Sequence, residues 1–289
     1  MRKYSTTTWN IGFLQYTESE LIKKRRLGKI RWLKHSFKDR FFADPFILNV
    51  SKNFVSILVE EFEFEVKRGR IVELIVDLDN CKLVERKVLL DLDTHLSYPA
   101  IFRINGRVYV YPENGESNKL TLYEYDYKKR ILLPVKTIIN EGLIDATIFK
   151  SGDKLYLIAT KNPYTQQDAF LYSSTDIKGT FVEIGRISKG KKCSRSAGNI
   201  FMVDAHIYRP AQNCCKIYGG NMEIMRIENF ENYKESHMFS LTPSSFRYNL
   251  GLHTINFFCD ICVVDGKGYL YPILGRLYSF LQFIYHCFR

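Results

Sequence analysis

ADPFIL, residues 43–48, is the first of five short segments that share one grammar; SYPAIF (97–102), IDATIF (144–149), SAGNIF (196–201) and LHTINF (252–257) follow it. Most lead through a turn carrying Gly, Asn or Asp into a second β-rich run, as in INGRVYVYPE, SGDKLYLIAT, VDAHIYRPAQ and CDICVVDG. Their second residues are Asp44, Tyr98, Asp145, Ala197 and His253, at intervals of 54, 47, 52 and 56. A period of about fifty residues with several strands per unit suits a β-propeller blade, a four-stranded sheet set radially around a channel. LTLYEYDY (120–127), AFLYSSTD (169–176) and MEIMRIEN (222–229) alternate apolar with polar residues, as half-exposed third strands should. Five units predict an all-β, five-bladed propeller; a sandwich or barrel is the competitor, but neither requires the recurrence.

The composition agrees with that reading. The 289 residues are 46% hydrophobic and 25% charged, enough apolar content for a sizeable core. Forty Tyr and Phe stand against eight prolines and 17 glycines, and aromatics favour half-buried pleated surfaces. The repeats place the propeller at residues 41–268, with a basic segment, 1–40, joining it and a short tail at 269–289. Residues 1–40 hold eleven Lys or Arg against three acids, so eight of the eleven net positive charges lie there. The run IKKRRLGKIRWLKHSFKDR (22–40) suits an anionic membrane surface or nucleic acid, or stands as a solvated basic arm. Its aromatics are few, Trp32 and Phe37, so nucleic acid is not an expected partner.

The tail reads as an amphipathic helix with Ile273, Leu277, Phe280, Leu281, Ile284 and Phe288 on one side, either packed back on the body or lying at a membrane interface. Its uncharged run, 277–288, is shorter than the ~20 residues of a bilayer span. The seven cysteines, with no secretory apolar region at the start, read as reduced thiols in a cytoplasmic protein, peripheral on the inner membrane face. Cys259 and Cys262 have CxxC spacing without a second pair, so neither a metal nor another cofactor is expected.

In a propeller the inner strands line the channel, and the residues that open them converge on one funnel. Asp44 and Asp145 open two of them, and Glu113 and Glu116 follow the second unit's second strand in YPENGE. Carboxylates with distinct environments are what glycosidic bond chemistry requires, one ionised and one protonated. The alternative is structural, since an Asp before a strand can satisfy backbone amides. The catalytic candidates are Asp44, Asp145 and Glu113. The substrate-binding candidates are His95 and Tyr98 in HLSYP, Arg209, Gln212 and Tyr218 in YRPAQNCCKIYGG, and His253 and Asn256 in GLHTINF.

Together FADPF, HLSYP with YPENGE and LTLYEY, IDATIF, SAGNIF with IYRPAQNCCKIYGG, and GLHTIN with VVDG resemble the N-terminal domain of plant glucosamine inositolphosphorylceramide transferase and its bacterial relatives, over residues 30–268. The resemblance implies a five-bladed propeller related to glycoside hydrolase family 43, in which an Asp opening the first blade is the base and one opening the third tunes the acid. Asp44 and Asp145 match those places. The hydrolases' general-acid Glu has no counterpart in SRSAGNIF, and Glu113 is the substitute. The plant transferase also carries a glycosyltransferase domain after its propeller. Two DxD strings here, 77–79 and 91–93, fall in outer strands and turns and are not read as a nucleotide-sugar site. The expected function is carbohydrate-active, on a glycan or lipid-linked sugar in surface polysaccharide or glycolipid synthesis. The alternative is a non-catalytic glycan-binding or scaffolding propeller serving a partner glycosyltransferase.

Overall fold

The computed structural model describes residues 6–188 and 190–287. Its strands form five sheets of four. Blade one contains β3 (Arg40–Ser51), β4 (Phe54–Glu63), β5 (Arg68–Asp77) and β6 (Lys82–Leu90); blade two contains β7 (Ser97–Ile104), β8 (Arg107–Glu113), β9 (Leu120–Asp126) and β10 (Ile131–Ile139). Blade three follows with β11 (Leu143–Ser151), β12 (Lys154–Lys161), β13 (Asp168–Ser174) and β14 (Val182–Ser188), and blade four with β15 (Phe201–Val203), β16 (His206–Asn213), β17 (Asn221–Asn229) and β18 (Lys234–Leu241). The expected third strands are β9, β13 and β17. The inner hairpins turn through left-handed residue pairs, Asn105-Gly106, Asp204-Ala205 and Cys259-Asp260, the conformation that matches the twist of paired strands.

Blade five joins the two ends of the chain. Its inner strands are β19 (Ile255–Phe258) and β20 (Ile261–Tyr269), and its outer strands are β1 (Thr7–Gln15) and β2 (Arg31–Trp32). β1 pairs with β20 from Thr7↔Tyr269 to Gln15↔Ile261. The basic segment 1–40 is thus woven into the ring and is not an appended arm. Between β1 and β2 lies α1 (Glu18–Lys24), started by a capping box in which Thr17 and Glu20 each accept the other's backbone N–H. Ile11 and Phe13 of β1 are buried among Phe42, Ile47 and Val263, so the closing strand helps fill the core between blades five and one.

Register fixes the two faces of the toroid. The residues that open the inner strands lie level with the N-terminus of β1 and the C-terminus of β20, which is therefore the funnel face. α1 and the cluster Lys23–Arg26 follow the other end of β1, and Leu21 packs with Phe201 and Val203 near the far end of blade four's inner strand. α2 (Pro272–Cys287) follows β20 and so starts on the funnel face. It is tethered by a Tyr269–Ser279 hydroxyl bond of 2.6 Å, while Ile273, Leu277, Phe280 and Leu281 stay exposed. Phe288 lies outside the described residues. Lys23–Arg26 of the basic run and the apolar helix thus start from opposite faces.

Since β1 closes the ring, Phe13→Ala should destabilise the protein by about 3–5 kcal/mol, read from the denaturant midpoint at unchanged slope. A loss below 1 kcal/mol would show that the ring holds without the closing strand's core contacts.

Candidate functional site

The inner strands of blades one to three open with the same irregularity. Asp44, Tyr98 and Asp145 have φ of 50°, 42° and 50°, and the ladder skips at each, between Ala43 and Phe46, Ser97 and Ala100, and Ile144 and Thr147. These are β-bulges with a left-handed residue, a conformation Asp tolerates and Tyr resists. In each, the exposed backbone N–H finds a carboxylate. Asp265 Oδ2 accepts from Asp44 N at 3.1 Å, Asp44 Oδ2 from Tyr98 N at 3.2 Å, and Glu113 Oε2 from Asp145 N at 3.0 Å. Each bond runs from one blade to the next. In blade four the left-handed backbone falls one position later, on Gly198 with φ 125°, where a Cβ would lie 1.9 Å from Ile255 O.

Around this ring lie two charge clusters. In the first, Asp44 Oδ1 accepts the Thr254 hydroxyl at 2.8 Å and lies 3.8 Å from His253 Nε2, while His253 Nδ1 meets Asp265 Oδ2 at 2.6 Å. Trp9 stacks on the His253 ring at 4.0 Å, and Tyr218 meets it edge-on at 5.7 Å. In the second, Asp145 Oδ2 accepts from Arg195 Nε at 2.6 Å and Gln212 Nε2 at 2.9 Å, and the guanidinium of Arg195 lies 5.1 Å from the Tyr218 ring. Asp44, Asp145 and His253 are nearly sealed from solvent, whereas Tyr218 is 43% exposed and stands at the mouth.

This crowding sets the protonation states. Burial, with Asp265 and Asp145 adding and His253 opposing, pushes Asp44 up to about 6. Burial and then Asp145 raise Glu113 to about 8, against the pull of Arg195. Glu60 is raised well above the carboxylate range, first by burial and then by Asp44 and Glu113. Burial lowers His253, but Asp265 and Asp44 outweigh it and the imidazole holds its proton more tightly than usual. At neutral pH Asp44 is therefore ionised and Glu113 protonated.

Of the sequence candidates, Asp44, Asp145, Glu113, Gln212, Tyr218 and His253 meet in the funnel. Gln212 bridges Asp145 and Ser196 O, so it positions a carboxylate. His95 borders the cluster, with Nδ1 accepting from Gly69 N at 3.0 Å and Nε2 3.5 Å from Glu60. Three candidates are placed elsewhere. Tyr98 is fully buried, its hydroxyl bonded to Thr147 Oγ1 at 2.9 Å and Gly198 N at 2.7 Å, so it braces blades three and four beneath the funnel. Arg209 is sealed inside blade four against Glu235 at 2.8 Å and Cys193 O. Asn256 ties Pro45 O to Asn199 N.

Sequence reading passed over Arg195, Glu60, Asp265, Thr254 and Trp9. A signal for two of them was present: Glu60 pairs with Ala43 and Glu113 with Ser97, and Asp265 N donates to Thr254 O, so a carboxylate recurs where the second strand passes the bulge. Asp44, His253 and Asp265 each offer a ligand atom within 4.8 Å of one another, but a cation there would have to displace the bonds that close the triad. The six cysteines whose side chains are described are unpaired, and Cys259 is exposed while Cys262 is buried.

The fold and site define a class, a five-bladed propeller with acidic side chains gathered at the opening of its channel. The same fold is seen in an α-L-arabinofuranosidase from Podospora anserina (TM-score 0.57, 8% identity, 77% of this chain and 78% of that one) and in RS223 β-xylosidase (TM-score 0.55, 10% identity, 79% and 92%). A GH43 β-1,3-galactosidase is similar too (TM-score 0.53, 14% identity, 65% and 43%). The family described as glucosamine inositolphosphorylceramide transferase 1, N-terminal, matches residues 30–246, and the chain belongs to it. Glucosamine inositolphosphorylceramide transferase 1 of Arabidopsis thaliana is 30% identical over 174 residues, covering 54% of this chain and 22% of that protein. Its counterpart in Oryza sativa subsp. indica is 26% identical over 212 residues, covering 69% and 28%. The chain thus spans about a quarter of the length of these relatives.

Two measurements probe the site. Asp44, Glu60, Glu113 and His253 all bind protons more tightly folded than unfolded, so their contribution to stability is complete below the unfolded values and is lost as pH rises through the folded ones. The midpoint of thermal unfolding should therefore fall between about pH 5 and pH 8, less steeply in Glu113→Gln; an equal slope in that variant would remove Glu113 from the coupled set. Arg209→Ala should cost about 3–5 kcal/mol by stranding a buried carboxylate. Calorimetric melting would reveal it, and an unshifted melt would mean that Glu235 is not held by this arginine.

Proposed function

We propose that this propeller acts on the sugar of a glycan or glycolipid in surface polysaccharide or glycolipid synthesis, with glycosyl chemistry in its funnel. The observation that carries the reading is the splitting of two neighbouring carboxyl groups, Asp44 pushed up to about 6 and Glu113 to about 8. Such a pair supplies an ionised base and a protonated acid at the same pH, as glycosidic bond chemistry requires. Asp44 takes the proton of the attacking hydroxyl, Glu113 gives one to the departing oxygen, and Arg195 and Gln212 hold Asp145 in place. Water or a second sugar's hydroxyl is a competent attacker. Tyr218 offers its exposed ring to a sugar face. The names of the curated relatives support a hexosamine and an inositolphosphoryl lipid as the first substrates to try.

One observation favours a second reading, in which the funnel holds a sugar for a partner glycosyltransferase without turning it over. The fourth unit, where the hydrolase resemblance calls for a general-acid glutamate, contributes Arg195, already paired with Asp145.

The test incubates the purified chain with inositolphosphoryl lipids, with and without attached hexosamine, alone and with nucleotide sugars, and follows products by mass spectrometry. A product should form with a rate that falls below about pH 6 and above about pH 8. Asp44→Asn should slow it by at least about 100-fold. Sugar binding without product, weakened in Asp44→Asn, would replace catalysis by the scaffold reading, and neither binding nor product would remove the funnel as a carbohydrate site.

A further inference from the structure

On the funnel face, the outer part of blade five contains a hollow of about 790 Å³. Trp9, Trp32, Lys34, His35, Lys38 and Arg247 line it, and no Asp or Glu does among the described residues. Lys34, Lys38 and Arg247 have no carboxylate partner there. His35 Nδ1 is shut off from solvent and lacks a hydrogen-bond partner. The nearest acid in the chain, Asp39, is held by Arg40 at 3.1 Å. An adjoining hollow of about 550 Å³ adds Lys82 and Arg86 with one acid, Glu85, which is paired with Arg130. Arg86 is itself committed to Glu61, so the cations left without a carboxylate are those of the first hollow, which is concave and aromatic as well.

The same face bears an apolar projection. Leu270 and Tyr271, at the edge of the hollow, lead directly into α2, whose sixteen residues include no acid. Ile273 is 79% exposed and Phe283 67%, with Leu277, Phe280 and Leu281 all above half. Arg276 reaches back to Phe246 O and lies 4.0 Å from the Phe246 ring, which is itself 77% exposed. Aromatic and aliphatic side chains beside these cations, in a hollow and a helix that include no acid among the described residues, complement an anionic lipid interface in both charge and polarity. No helix among the described residues is long and apolar enough to cross a membrane, so α2 would lie in the interface plane.

We propose that the funnel face docks on a membrane containing anionic phospholipid, with α2 and Phe246 in the interface and the phosphate of a headgroup held by Lys34, Lys38 and Arg247. In this orientation the funnel mouth opens toward the bilayer, and the cluster Lys23–Arg26, on the opposite face, points away from it. The proposal stands independently of the chemistry inside the funnel, because it concerns only residues outside it.

The test is co-sedimentation of the full chain with vesicles of phosphatidylcholine alone or with about a third phosphatidylinositol. The expected result is binding to the anionic vesicles only, weakened as salt shortens the Debye length to about 3 Å near 1 M. Lys34→Ala with Arg247→Ala should lower partitioning about fivefold per cation removed. Leu277→Glu with Phe280→Glu should lower it at least about tenfold without changing circular dichroism, since both side chains are exposed. Arg25→Ala with Arg26→Ala should leave it unchanged. Equal binding to neutral vesicles, no binding, or loss in the Arg25/Arg26 variant would overturn the proposal. So would a concentration-dependent dimer that Leu277→Glu with Phe280→Glu dissolves, since α2 would then be covered by a second copy.

Discussion

The structure depends on one interaction, a carboxylate oxygen of one blade accepting the backbone N–H of the left-handed residue that opens the next. Asp265 does this for Asp44, Asp44 for Tyr98, and Glu113 for Asp145. A bulged, left-handed residue leaves its N–H unpaired in the ladder, and burying that group without a partner would be costly. Supplying a carboxylate satisfies the amide and joins adjacent blades around the axis. It also forces acids into a space with little water, which is why the proton affinities of Asp44 and Glu113 rise. The structural and the chemical readings of the opening aspartates are therefore one arrangement seen from two sides.

The placement of positive groups bears on which acids are pushed up. Arg195 is committed to Asp145 and His253 to Asp265, so Asp44, Glu60 and Glu113 lack a full counter-charge and rise. Asp44, 3.8 Å from the imidazole and bonded to Thr254, reaches about 6, against about 8 for Glu113. A funnel with one ionised and one protonated acid follows from the placement of two cations. This links Arg195, three residues before the glycine bulge of blade four, to the behaviour of carboxylates contributed by blades one and two.

Much of this was legible in the sequence. The five inner segments showed themselves because bulge and apolar alternation repeat at the blade period, and Asp44 and Asp145 were visible as charges set into apolar strands. The closing strand was not, because TTWNIGFLQ pairs with β20 across the whole chain and no local pattern announces a partner more than two hundred residues away. Arg209 was misplaced through strand parity: it lies three residues from Gln212 on β16, so the two side chains leave opposite faces of the sheet, one into the funnel and one into the blade. Arg195 gives no such signal, because it lies two residues before Ala197, outside the recurring inner-strand pattern. The helix α2 was legible as amphipathic, but which way its apolar side faces is set by the Tyr269–Ser279 and Arg276–Phe246 contacts, which only the folded chain brings together.

The central claim is that the funnel holds one carboxyl group ionised and another protonated at neutral pH. The most direct measurement is carboxyl-carbon NMR titration of the intact protein, with Asp44→Asn and Glu113→Gln used to assign the two resonances. The account predicts that one signal titrates near 6 and disappears in the first variant, and that another titrates near 8 and disappears in the second. If both assigned groups instead titrate together near 4, in the ordinary carboxylate range, the funnel does not separate their protonation states and the account fails.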